Sequence, residues 1–463
     1  MNIGNKMNGA KAIVECLKIE GITKIFTVPG ESFLPILNVL YDEKDIHVIS
    51  ARHEGGAAFM AEGYAKASLK PGIVLATRGV GATNASIGIH TAKQDSTPMI
   101  IFIGQVQSKF LGREGFQEID IPRLFQSIAK WAVEIRDAER IPELVQRGFR
   151  IAKSGRPGPV VISIPEDVLE IEGEMHFSPM ALPPKPTPSA DEWETVKACF
   201  RRAKRPIIIA GGGIKQASGE NLLTEVTETF SLPVLSAFRR HDVFPNHHPL
   251  YAGHLGLGMG REVIETVQQA DLIFAFGTRL SEVTTNDYEL ITPQKKLIHI
   301  DIAYDSIGKS LPPTIGIISD IKEALKKMLT FHLPKPYVWE DWAFQRGRKY
   351  KETVLRNFSK QSSIYGHVID VLREKLPTNA IITNDAGNFA GWLHQYYSFE
   401  KKTDIYRTYI RCDGLRLTRC NRCETSKSET DSSFTIGRRR FFYDLSRVRN
   451  GGAVSNSDYF IGF

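Results

Sequence analysis

A chain of 463 residues, 42% hydrophobic and 24% charged, has the composition of a folded protein of about three ordinary domains. The net charge of +7 is uneven, because after Lys402 eleven cations, ten of them arginine, face seven carboxylates. That is a break in composition, not a nucleic-acid signature. No run of eighteen apolar residues offers a membrane span, and the polar stretch Met1 to Lys11 does not read as a signal peptide. Five cysteines (Cys16, Cys199, Cys412, Cys420 and Cys423) make no disulfide framework. The expectation is a cytoplasmic protein that binds neither nucleic acid nor membrane.

Residues 8 to 20 carry apolar side chains at helical spacing, with Gly21 as a C-cap. A strand Lys24 to Val28 is broken by Pro29-Gly30, and a helix from about Phe33 to Tyr41 leads to a strand His47 to Ser50. Glu54 then opens a helix of small residues in which Ala57, Ala58, Ala61 and Ala65 are spaced for close packing. Read by itself, Glu54 is an acid in a helix's first turn, favoured by the helix dipole. A strand Gly72 to Thr77, a loop Arg78 to Asn84, a helix and a strand Met99 to Gly104 follow, and a strand ending at Pro165 closes this unit. Five prolines between Pro179 and Ala190 predict an extended linker. A second unit has strands at Pro206 to Ala210, Leu232 to Ser236, Leu272 to Phe276 and Leu297 to Ile302, with a turn at Gly211-Gly212-Gly213. After the linker Leu333 to Pro336, helical patterns from Trp339 to Leu376 lead to a strand Ala380 to Thr383 and the loop Asn384 to Asn388. Apolar runs alternating with helices predict an α/β fold of three doubly wound parallel-sheet units, the third incomplete. The expected boundaries are 1–178, 190–332 and 338–402, with an aberrant tail at 403–463.

Five motifs occur in one register: Pro29-Gly30, Arg52-His53-Glu54, Gly81-Ala82-Thr83-Asn84, Phe116-Gln117-Glu118 and Gly155-Arg156-Pro157-Gly158-Pro159. Together they resemble the thiamine diphosphate enzymes of the acetolactate synthase and benzoylformate decarboxylase group, over residues 8 to about 402. The resemblance implies that the first unit holds the cofactor's aminopyrimidine. Glu54 matches the glutamate that hydrogen-bonds the pyrimidine nitrogen and favours the imino tautomer, and Ala57, Ala58 and Met60 would desolvate it. Gln117 matches a substrate-side glutamine, its plainer reading being a capping amide. Thr77 and Asn84, with Pro29 and Gly30, match cofactor-lining positions. Arg78-Gly79-Val80-Gly81 stands where the family often has Ser-Gly-Pro-Gly, and the loop near Gln94 also departs; both leave the substrate open. In the middle unit Gly211, Gly212, Gly213, Arg279 and Asp301 match places that hold FAD in acetolactate synthases. Members without flavin keep this domain, so FAD stays open. Gly387 and Asn388 match the start of the diphosphate-binding domain. The activity implied is decarboxylation of a 2-oxo acid and carboligation by a homodimer or homotetramer. Another 2-oxo acid decarboxylase, an acetyltransferase and a non-catalytic fragment are the alternatives.

The family holds Mg2+ and diphosphate through Gly-Asp-Gly and an Asn-rich element, and neither occurs after Asn388. Codons for Gly437 to Asp444, read one base later, can spell Gly-Asp-Gly-Gly-Phe-Phe-Met. Arg407 to Asn421 and Asp444 to Val454 likewise yield family-like stretches, in the right order. The expectation is a frameshift near residue 402, a truncated third domain and a chain without Mg2+ ligands. A zinc or nucleic-acid element on Cys412, Cys420 and Cys423 lacks a fourth ligand in the tail.

Overall fold

The computed structural model describes residues 5–180, 182–359, 364–376, 380–384, 387 and 390–399, together with strands Tyr409–Arg411, Ser433–Gly437 and Phe460–Gly462. The main bodies are two units, Met1–Pro184 and Lys185–Arg411.

The first unit runs β1 (Asn5–Asn8), α1 (Gly9–Ile19), β2 (Lys24–Thr27), α2 (Leu34–Asp42), β3 (His47–Ser50), α3 (Glu54–Ser68), β4 (Gly72–Ala76), α4 (Gly79–Asp95) and β5 (Met99–Gln105). It continues with α5 (Ile121–Phe125), β6 (Trp131–Glu134), α6 (Ile141–Lys153), β7 (Pro159–Pro165), α7 (Glu166–Glu170) and β8 (Glu172–Met175). Six strands form one parallel sheet in the order β3-β2-β4-β5-β7-β6, and β1 pairs antiparallel with β8 apart from it. Alternate side chains of each strand feed two cores. Ile73 and Leu75 join the one under α1, α2 and α6, whereas Val74 and Ala76 join the one under α3 and α4. With both faces covered, β4, β5 and β7 are buried along their whole lengths.

The second unit contains α8 (Ala190–Arg202), β9 (Pro206–Ala210), α9 (Gly212–Gln216), α10 (Glu220–Phe230), β10 (Val234–Ser236), β11 (Tyr251–His254), α11 (Arg261–Gln269), β12 (Leu272–Phe276), α12 (Glu282–Thr285), β13 (Lys296–Asp301), β14 (Ile315–Ile318) and α13 (Ile321–Leu329). Its six-stranded sheet, β11-β10-β9-β12-β13-β14, is again parallel throughout. The linker joins this unit early, since Pro186 O accepts from Asp320 N at 2.9 Å and Pro188 O accepts from Lys327 Nζ at 2.9 Å. Next come α14 (Glu340–Ser359), α15 (Ile364–Lys375), β15 (Ile381–Asn384) and α16 (Ala390–Tyr396), and β15 lies parallel to Tyr409–Arg411. Helix α14 docks on the sheet edge by close approach. A Cβ on Gly347 would meet Pro249 O at 1.9 Å, and the Trp339 indole donates to Phe230 O at 2.9 Å.

Two expectations change. The glycine-bearing stretch Arg78 to Asn84 is not a loop, because α4 already begins at Gly79. Its glycines admit neighbours: a Cβ on Gly79 would lie 2.6 Å from Gln117 O, and one on Gly88 would lie 2.4 Å from Ala58 Cβ. The triplet Gly211 to Gly213 is likewise a turn only at its first residue, with α9 starting at Gly212. Apart from three short strands, the tail after Lys402, with Cys412, Cys420 and Cys423, lies outside the described residues.

Candidate functional site at the first sheet's switch point

The order of the first sheet reverses between β2 and β4, where Phe26 pairs with Val74 and Thr27 with Leu75. In a doubly wound sheet the crevice beyond the strand ends at such a reversal is where ligands bind. Three connections open there: Pro29-Gly30 after β2, Glu54 after β3 and Thr77 after β4. Glu54 is the first residue of α3, capped by His53, whose Nδ1 accepts from Gly55 N at 3.0 Å. The acid is 8% exposed, beside fully buried Ala57 and Ala58. Asn84, one turn into α4, donates from Nδ2 to Glu54 Oε2 at 3.0 Å. The other oxygen, Oε1, lies against Gly81, where an added Cβ would stand 3.1 Å from it and 2.9 Å from Thr77 Cγ2. Gly30 closes the opposite side, its Cβ position being 2.9 Å from Thr77 Cβ. The Thr77 hydroxyl pairs at 2.8 Å with that of the buried Ser32, a supporting residue that sequence reasoning missed because a lone serine after a Pro-Gly turn carries no signal.

Gln117 arrives from a separate loop. It is half-buried with φ +63°, and its carbonyl covers Gly79 at the start of α4. Arg78 Nε donates to Phe116 O at 3.0 Å, pinning the loop from the helix side. Glu118 pins it from within, accepting from Gly112 N at 2.5 Å and Gly115 N at 2.8 Å. Those N–H groups, Gly112 first, hold the Glu118 carboxyl below the ordinary range. Glu54, Thr77, Asn84, Gly30 and Gln117 thus gather around the first two turns of α4, while Pro29 is exposed at the rim.

Residues 7–124 match the N-terminal TPP binding domain of thiamine pyrophosphate enzymes, and residues 194–328 match the central domain of the same enzymes. Over 429 residues the chain is 34% identical to a probable acetolactate synthase large subunit of Methanocaldococcus jannaschii, covering 88% of this chain and 71% of that protein. The chain belongs to the thiamine pyrophosphate enzyme family. Over 427 residues it is 32% identical to the large subunit of acetolactate synthase isozyme 3 of Escherichia coli, covering 88% of this chain and 73% of that one.

Family members share the central domain, whose sheet here has its own switch point between β9 and β12. Gly211 and Gly213 meet Gly277 there, with Gly211 N donating to Phe276 O at 2.8 Å and Gly213 N to Gly277 O at 3.0 Å. Cβ atoms would stand 2.1 Å from Gly277 O at Gly211, and 2.5 Å from Arg240 Nε at Gly212. These faces are filled by the chain itself, so internal packing accounts for the glycines without a phosphate. Arg279 is exposed at the end of β12. Asp301 is buried at the end of β13, and its Oδ1 accepts from Ala303 N at 2.9 Å. Gly387, exposed with φ +137°, follows β15, and Asn388 lies outside the described residues. Among the described residues there is no cluster of three or more His, Cys, Asp or Glu fit to hold a metal. None of the described helices is long and apolar enough to cross a membrane.

Proposed function

We propose that the first-unit site is the aminopyrimidine half of a thiamine diphosphate site, in a chain derived from an acetolactate synthase-type enzyme acting on 2-oxo acids. The observation that carries this reading is the nearly buried Glu54 carboxylate, tied at Oε2 and open at Oε1 beside a glycine. An acid so held suits a ring nitrogen that must be protonated, whereas an acid used only to cap a helix gains nothing from a cleared face. When bound, the cofactor would supply a carbanion equivalent suited to a 2-oxo carbonyl. The chain's part is to orient and to manage protons. Glu54 holds a proton at the pyrimidine nitrogen, Thr77 and Gly30 shape the wall, and Gln117 faces the substrate side. The second switch point, with Gly211, Gly212, Gly213, Arg279 and Asp301, is the candidate flavin position. Its location favours FAD and its filled glycine faces do not, and the absorbance of purified protein near 450 nm decides between them. Gly387 and Asn388 would begin the diphosphate subsite.

The reading includes a change of frame after Lys402, a cytoplasmic location, and a dimer or tetramer as the ancestral assembly. The chain as translated is then expected to bind thiamine diphosphate and Mg2+ weakly and not to turn over pyruvate. Calorimetric titration together with an acetolactate assay tests this, and micromolar binding with turnover would refute it. Nucleotide sequencing tests the frame: DNA with no third-domain continuation in the other frame ends that part of the proposal. Substrate choice has a second reading, another 2-oxo acid decarboxylase or an acetyltransferase. It is favoured by Arg78, which stands outside the family's usual pattern and holds the loop that carries Gln117. A chain restored to frame and profiled with pyruvate, benzoylformate and sulfoacetaldehyde separates the two.

A further inference from the structure

A carboxylate offers two oxygens, and a ligand that must meet one of them is best served if the other is already committed. We propose that Asn84 is a positioning residue that commits Glu54 to present Oε1 alone. The Asn84 amide donates to Oε2 at 3.0 Å, and among the described residues no hydrogen bond to Oε1 is seen. Three residues on one face of α4 build the device. Gly81 leaves open the volume in front of Oε1, since a methyl there would stand 3.1 Å from that oxygen. Asn84, three residues on, supplies the donor. Gly88, a further turn on, lets the two helices close, as its Cβ would overlap Ala58 Cβ at 2.4 Å. The backbone is fitted to the same end, with Asn84 O only 3.1 Å from the Cβ position of Gly55. Spacings of three and four keep these residues on one helix face. Asn84 is otherwise exposed, and no packing role accounts for an asparagine there.

The inference rests on reading Glu54 as the ligand-facing acid, but its test needs no cofactor. Carbodiimide labelling of the full-length chain, read by mass spectrometry, reports how available each carboxyl is. Asn84→Ala frees Oε2 and is expected to raise labelling at Glu54 by about tenfold or more, the scale of one hydrogen bond to a charged group. Asn84→Leu keeps a similar volume and removes the donor without adding a charge, so it should raise Glu54 labelling as well. Gly81→Ala should lower it by covering Oε1. Glu62, fully buried two turns along α3, is the internal control and should not change. Wild-type labelling at Glu54 in Asn84→Leu overturns the proposal, because it assigns Asn84 to packing. An equal rise at Glu62 also overturns it, because the helix has then merely loosened. If Asn84→Ala does not fold, the volume-keeping Asn84→Leu carries the test. Thiamine diphosphate titration of a chain restored to frame tests the site reading separately: orientation without binding there sinks that reading and leaves the positioning role standing.

Discussion

His254 ends β11 with its ring 4.6 Å from that of His241 and 6.4 Å from that of His394, measured between centroids. It is 2% exposed, and neither of its ring nitrogens has a hydrogen-bond partner among the described residues. Burial pulls its pKa down to about 4, whereas an imidazole in the unfolded chain titrates near 6.5. The folded state therefore binds the proton less readily than the unfolded one. Its contribution to stability is intact above about pH 6.5 and falls away toward pH 4, to a total of about 3 kcal/mol. Denaturant unfolding at neutral pH and near pH 4.5 should show wild type losing more stability than His254→Leu. Equal acid losses in the two proteins would contradict it. At the candidate site, Glu54→Gln keeps the shape and removes the proton acceptor. In a chain restored to frame, kcat is expected to fall about 100-fold or more, with little change in thermal midpoint.

Elements in this fold are held by close backbone approach as much as by apolar area. Gly88→Ala would gain helix propensity of about 1 kcal/mol and still lose overall, because its methyl meets Ala58 at 2.4 Å in a packed core. The expected net destabilisation is about 1–3 kcal/mol, read from denaturant midpoints. The turn that leads into α14 offers a second test. Trp339 is 4% exposed, stacks on Tyr337 at 5.1 Å and on Phe200 at 5.4 Å, and donates to Phe230 O. Trp339→Ala should cost about 3–5 kcal/mol, and a loss under 1 kcal/mol would mean that the turn leading into α14 is not docked there. The same physics explains what was legible in the sequence. β4, β5, β7, β9 and β12 are buried on both faces, so they read as continuous apolar runs. β6 and β14 at sheet edges, β11 with its Gly253, and the polar β1 were not legible, because none of them has such a run. Glu54 and Asn84 could be named as candidate site residues from their motifs. The bond between them could not, because it depends on how near α4 stands to α3, which Gly88 sets.

At the scale of the whole molecule, two units with separate cores are joined by a proline-rich segment. Its last residues are held by Asp320 and Lys327, whereas Pro179, Met180 and Leu182 before them are exposed, Leu182 at 80%. A protease of broad specificity is expected to cut there first, leaving an N-terminal product of about 20 kDa. A first cut inside either sheet would contradict that picture. The two switch points carry a parallel lesson: in each, glycines clear volume at the strand ends, at one beside an acid and at the other against Gly277 and Arg240. Gly88 closes the helix pair for folding, and the same closure brings Asn84 to Glu54. A lineage selected only to fold would therefore keep the approach of the two helices, whereas the amide of exposed Asn84, which packing does not require, would be free to drift.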